Sequence, residues 1–387
     1  MTQSAKTDIH SDTAFAALCE EAARLAPDIE SDRKLPATFA RDLAAHGMFS
    51  MFVPEQIGGG EVSPVFGMQK LHDLAQYDAA SAWVCMIGST AALGAAYIAP
   101  DLSQEIFAAD KRITCGIFAP SGSGVRDGDD YVISGRWAWA SGSANADYIG
   151  LGCMLLENPD DDPKTAEMRL VMARREDIIF HDTWHTMGLR GTSSGDVELK
   201  QARIPAAHSY AISKDAPWHN APLYKMPYFA FLATGVGAIA LGNARAAIDD
   251  FTDFVGVKKG AGERRTLAEK SRVQSQLAEA DANLRSAHLF YWDTLSKIWQ
   301  DVQDGVDMEP EKKAELRLVS TYAVRQSVEV VRAIHDLAGG TSVYLNSPIQ
   351  RRLRDAETMT QHMISNAGTY ELVGRVMLGG YDPSMQL

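Results

Sequence analysis

Apolar positions recur every three or four places along the first hundred residues. The stretch "FAALCEEAARLAP" keeps this spacing from Phe15, and the helix it predicts stops at Pro27. "LPATFARDLAAHGMF" repeats it, with Pro36 in a first helical turn and Gly47 as the stop. The connection "VPEQIGGGEVSP" is a loop by its Pro and Gly content. From about residue 113 to 205 the texture changes to short β-branched or aromatic segments: "ITCGIF", "YVISGRWAWAS", "YIGLGCMLL", "RLVMA" and "DVELK". Turn clusters such as "RDGDD" and "ENPDDDP" separate them. From about residue 222 long helical patterns return, and their lengths and short joints predict an antiparallel bundle.

The pattern therefore predicts a mainly α protein with a central β domain. Helices fill residues 1–112, strands 113–212, and a C-terminal bundle 213–387. Two uncharged runs, Ala79–Pro100 and Met226–Ala244, are long enough to cross a bilayer. Both are rich in Ala, Gly, Ser and Thr and lack a one-sided basic flank, so they read as helices buried all round.

Composition narrows the partners. The chain has 387 residues, 46% of them hydrophobic and 22% charged, as in ordinary globular proteins. A net charge of −13 without a Lys/Arg cluster argues against nucleic acid and anionic membranes. Cys19, Cys85, Cys115 and Cys153 have neither metal nor disulfide spacing, which suits reduced thiols in a cytoplasm. The opening "MTQSAKTDIHSD" holds no apolar signal core. His181 and His185, in "HDTWH", are four apart, but no third ligand follows, so no metal site is expected. The glycines of "APSGSGVRDG" lack the lysine of a phosphate loop, and no nicotinamide fingerprint occurs.

Four stretches, in order and on matching predicted elements, resemble the acyl-CoA dehydrogenase fold along nearly the whole chain. They are "VPEQIGGG" (53–60), "YVISGRWAWASG" (131–142), "MGLRGTSSGDVELKQARIP" (187–205) and "LAGGTSVYLNSPIQRRLRDAE" (337–357). That resemblance implies a middle β-barrel or sandwich domain and a C-terminal four-helix bundle with a flavin between them. The dehydrogenases of this fold need a carboxylate to remove an α-proton. Where one would follow the "RDA" motif, this chain has His362 and Met363, and Ala221–Gly242 has no acidic residue. "RDAETMTQH" (354–362) instead resembles the flavin monooxygenase branch, whose members carry "RD…QH" in the last helical region. Read as a helix, that stretch aligns Arg354, Thr358, Gln361 and His362 on one side.

The branch assignment implies an oxygenase component acting on a small phenolic or indole-like ring through a flavin C4a-hydroperoxide. Reduced FMN or FAD would come from a separate NAD(P)H:flavin reductase, with O2 as co-substrate and a homotetramer as the assembly. His362 would face flavin C4a and accept a substrate proton with a pKa near neutrality, and Ser141, on its strand, would accept a hydrogen bond from N5–H. Further flavin contacts implied are Trp83, Phe118, Ala119, Pro120, Trp139 and Ala140. Arg264 (or Arg265 or Arg190) would hold a flavin phosphate, although a solvated charge run explains the first two equally well. Gly339 and Gly340 would let backbone approach a neighbouring subunit's flavin, or serve as a helix C-cap. The uncharged runs would line the substrate pocket. Rival readings are a dehydrogenase or oxidase with a relocated base, and a helical assembly protein with an empty flavin site.

Overall fold

The structure, a computed structural model, describes residues 9–212, 214–259, 264–382 and 387. Five helices come first: α1 (Asp12–Asp32), α2 (Ala37–Ala45), α3 (Pro64–Tyr77), α4 (Ala79–Ala91) and the single turn α5 (Pro100–Ser103). Side chains cap three of them, Ser11, Ser63 and Asp78 each accepting a backbone N–H of the first turn. Helix α1 runs through Pro27, contrary to the expectation of a stop there. Pro27 and Ala23, whose carbonyl the proline deprives of a donor, both face solvent, while Leu25, Ala26 and Ile29 are buried. Water can therefore serve the carbonyl while the apolar face keeps the helix in place.

Seven strands follow: β1 (Thr114–Asp127), β2 (Asp130–Trp137), β3 (Tyr148–Leu156), β4 (Glu167–Arg174), β5 (Ile179–His181), β6 (Asp196–Pro205) and β7 (Ser209–Tyr210). They form one mixed sheet in the order β5-β6-β2-β1-β3-β4-β7. β4 and β6, four places apart in that order, come into contact, so the sheet curls as a barrel wall does. Strand β1 pairs antiparallel with β2 and parallel with β3, and its register to β3 breaks between Ile117 and Gly122. That irregularity pushes Ala119 and Pro120 to the surface.

The last part holds α6 (Tyr228–Val255), α7 (Ser271–Gln303), α8 (Pro310–Ala338), α9 (Pro348–Met359) and α10 (Gly368–Met377). Helix α6 is the hub, packing against α8, α3, α9 and α4. The two uncharged runs are these interior helices, 89% buried over their apolar windows. Small residues let them approach: a Cβ on Gly235 of α6 would lie 2.5 Å from Cγ of Met86 on α4. At that level the two helices touch and leave no room between them.

Candidate active site

Three elements from distant parts of the chain converge on one indole. Helix α4 holds Trp83 almost fully buried, and its Nε1–H donates to Ser141 Oγ at 3.2 Å. The edge of the same indole meets the imidazole of His362, ring centres 5.4 Å apart and planes at 72°. Trp83, Ser141 and His362 therefore form one cluster.

Ser141 was expected on a strand, but β2 ends at Trp137 and the chain turns into a loop. Trp139 takes a left-handed conformation (φ 64°), and Leu189 and Ser193 opposite do the same at 48°. Such strained non-glycine backbone concentrates where a site needs it. The loop is zipped to residues 192–195 by Ala140 N–H to the Gly195 carbonyl (3.1 Å) and Gly142 N–H to the Thr192 carbonyl (2.8 Å). This pairing sets three buried hydroxyls in a row. Ser141 Oγ lies 2.6 Å from Ser194 Oγ, which lies 2.6 Å from Thr192 Oγ1, which donates to the Leu189 carbonyl at 2.8 Å. Thr192 and Ser194 were not singled out from the sequence, although they lie in the quoted "GLRGTSSG". Leu189 N–H in turn donates to Asp355 of α9 at 2.6 Å.

His362 lies beyond the helix rather than on it. α9 ends at Met359, and the hydrogen bonds then tighten to i→i−3, as from His362 N–H to the Met359 carbonyl. The His362 ring is half-buried, and its pKa, expected near neutrality, is pushed down to about 4, first by the loss of water in the packing around it and then by the positive charge of Arg317. The imidazole is thus neutral, a proton acceptor, at physiological pH. Asp355 shifts the other way, up to about 7, because it is buried, with Glu30 and Asp78 adding repulsion against the pull of the Leu189 N–H. A cavity of about 250 Å³ follows His362, lined by Arg317, Met363, Ile364, Asn366, Thr369 and Leu372 among others.

Ala140 is buried beside Ser141, and the Trp139 indole stands 72% exposed. Phe118 packs edge-on against Phe229 (4.8 Å) and near Tyr228 at the start of α6, while Ala119 and Pro120 lie open on the β1 irregularity. Arg264 and Arg265 are exposed between α6 and α7. Gly339 is the C-cap of α8 (φ 59°), and an added Cβ at Gly339 or Gly340 meets nothing within 4 Å. Arg190 bonds the Glu30 carbonyl and faces its carboxylate, a link between domains. His181 and His185 face the carboxylates of Glu198 and Asp182. Among the described residues no three potential metal ligands cluster.

Two family models match the chain: the acyl-CoA dehydrogenase N-terminal domain over residues 6–104 and its C-terminal domain over 234–367. An indole-3-acetate monooxygenase of Pseudomonas putida is 29% identical over 95% of this chain and 93% of its own. An FADH2-dependent resorcinol hydroxylase, oxygenase component, of a Rhizobium species is 27% identical over 90% and 89%. The crystal structure of 3-HSA hydroxylase from Rhodococcus superposes with a TM-score of 0.89 at 22% identity, covering 98% of this chain and 99% of that one.

Proposed function

The chain belongs to the acyl-CoA dehydrogenase family, on its flavin-dependent monooxygenase side, and from that premise we propose that it is the oxygenase component of a two-component system hydroxylating a small phenolic or indole-like ring. The observation that carries the reading is Trp83 bridging Ser141 and His362. A hydroxyl that accepts a hydrogen bond and a neutral imidazole that accepts a proton are what hydroxylation of an aromatic ring requires of a protein. The residues fit a flavin on a further count, since Trp139 stands exposed beside Ser141; Met363, where a dehydrogenase would need a carboxylate, fits the monooxygenase side of the fold. Reduced FMN or FAD, when bound, supplies the dioxygen chemistry. Ser141 would hold the N5–H, Trp83 would orient Ser141, and His362 would take the phenol or ring proton.

A separate NAD(P)H:flavin reductase supplies the reduced flavin in this reading. The chain works as a homotetramer in the cytoplasm. Exposed Val343, Tyr344 and Leu345 suit burial between subunits, next to the open Gly339–Gly340 turn, and four buried free thiols suit a reducing compartment. The test is to mix purified protein with anaerobically reduced FMN or FAD, then with oxygen and a phenol or indole. Hydroxylated product and little hydrogen peroxide are expected, from a protein that purifies nearly colourless. Stoichiometric yellow flavin surviving dialysis, or flavin bleached by an acyl-CoA thioester, would return the chain to the dehydrogenases.

A further inference from the structure

The hydroxyl row behind Ser141 has a fixed direction. A carbonyl only accepts, so the proton in the 2.8 Å contact between Thr192 Oγ1 and the Leu189 carbonyl belongs to Thr192. Thr192 has no second proton, so Ser194 supplies the one in its 2.6 Å contact with Thr192. Ser194 is then spent, and the 2.6 Å contact between Ser141 and Ser194 is filled by the Ser141 proton. Trp83 Nε1–H occupies one lone pair of Ser141 Oγ. Ser141 is left with one lone pair and no proton to offer. The origin of the row is itself pinned, because Leu189 N–H is held by Asp355.

Resting on the flavin reading above, we infer that Thr192, acting through Ser194, fixes Ser141 as a hydrogen-bond acceptor, so that the site selects reduced flavin over oxidised flavin. N5 of reduced flavin carries a proton and can donate to Ser141. N5 of oxidised flavin presents a lone pair, and two acceptors face each other without a proton between them. Thr192 and Ser194 are positioning residues, since neither needs to touch the flavin. Both are essentially inaccessible, at 0% and 2% exposure, so water cannot restore a lost proton pattern.

The experiment compares binding of oxidised FMN and FAD, followed by fluorescence, with anaerobic titration of their reduced forms. The ratio of the two dissociation constants is equivalent to a shift in the bound flavin's midpoint potential, and needs no turnover. A buried acceptor left unmatched predicts a preference for reduced flavin of about tenfold to a hundredfold in the unmodified protein. Thr192→Val removes the anchor, lets Ser194 turn its proton to Ser141, and frees Ser141 to donate. The preference should then collapse, mainly through tighter binding of oxidised flavin, and Thr192→Ser should restore it. Ser194→Ala releases the Ser141 proton by a second route and should behave like Thr192→Val, which covers the case of a poorly folded valine variant. Both affinities falling together with an unchanged ratio would assign Thr192 a packing role and overturn the inference alone. No measurable binding of reduced flavin by the unmodified protein would overturn the flavin reading, and the inference with it.

Discussion

Burial keeps the His362 imidazole neutral far below the pH at which a free histidine takes up a proton. With its pKa near 4, the acceptor form dominates above about pH 5. Hydroxylation should therefore run level from pH 6 to 8 and fall only as the solution approaches the imidazole's own pKa. His362→Ala should leave flavin binding nearly intact and lower hydroxylation by about 10²–10⁴-fold, with the acid limb lost. Single-turnover rates across pH check both, and full coupled turnover in the alanine variant would remove His362 from the chemistry. At this scale the sequence is uneven in what it tells. His362 and Ser141 can be singled out because each lies in a quoted local motif, and Trp83 only through the family resemblance. The roles of Ser194 and Thr192 are not, because they come from a contact between residues 53 positions apart. Nor can local sequence place His362 near pKa 4, since the burial that does so comes from Trp83 and the bundle around Arg317.

Helix α9 does two jobs that its sequence pattern does not separate. Its Arg354 and Asp355 tie three parts together: Arg354 pairs with Glu30 of α1 at 2.6 Å and donates to the Met187 carbonyl, and Asp355 holds the Leu189 N–H. The "RD" pair thus docks the loop that carries the hydroxyl row, while the turn after the helix carries His362. Gly188 is where loop and helix come closest. A Cβ there would lie 2.0 Å from the Arg354 carbonyl oxygen and 2.6 Å from Thr358 Oγ1. Gly188→Ala must push backbone from backbone, so a loss of about 1–3 kcal/mol is expected, together with weakened flavin binding. Thermal melts and flavin titration measure the two, and an unchanged melting temperature would show that the loop can shift without cost. Element type was legible nearly throughout, because hydrophobic spacing changes clearly at the β domain. Element ends were less so. No Gly or Pro marks the stop after Met359, and Pro27 marks a stop that buried Ile29 overrides.

Across the whole molecule, the two perturbed groups of the site pull stability in opposite directions with pH. Asp355 has a folded pKa near 7, above the ordinary carboxylate value of 3.8. Between about pH 4 and 7 the folded state keeps its proton while the unfolded state has lost it, so stability falls as pH rises. His362 has a folded pKa near 4, below its ordinary 6.5. Between about pH 4 and 6.5 the unfolded state binds the proton and the folded state does not, so stability rises with pH. The windows overlap almost entirely, and each group contributes a slope on the order of 1 kcal/mol per pH unit of the opposite sign. In the intact protein they offset one another, and the pH dependence from pH 4.5 to 6.5 should be set by the remaining groups. Asp355→Asn keeps an oxygen for the Leu189 N–H and removes the falling contribution, so this variant should gain stability with pH more steeply than its parent. His362→Ala removes the rising one and should gain less steeply, or lose stability. The remaining groups are common to all three proteins, so the differences between their slopes isolate the two sites. Denaturant unfolding at several pH values measures them. Parallel curves for parent and both variants would mean that neither group is as buried in solution as its packing against Trp83 and Leu189 implies.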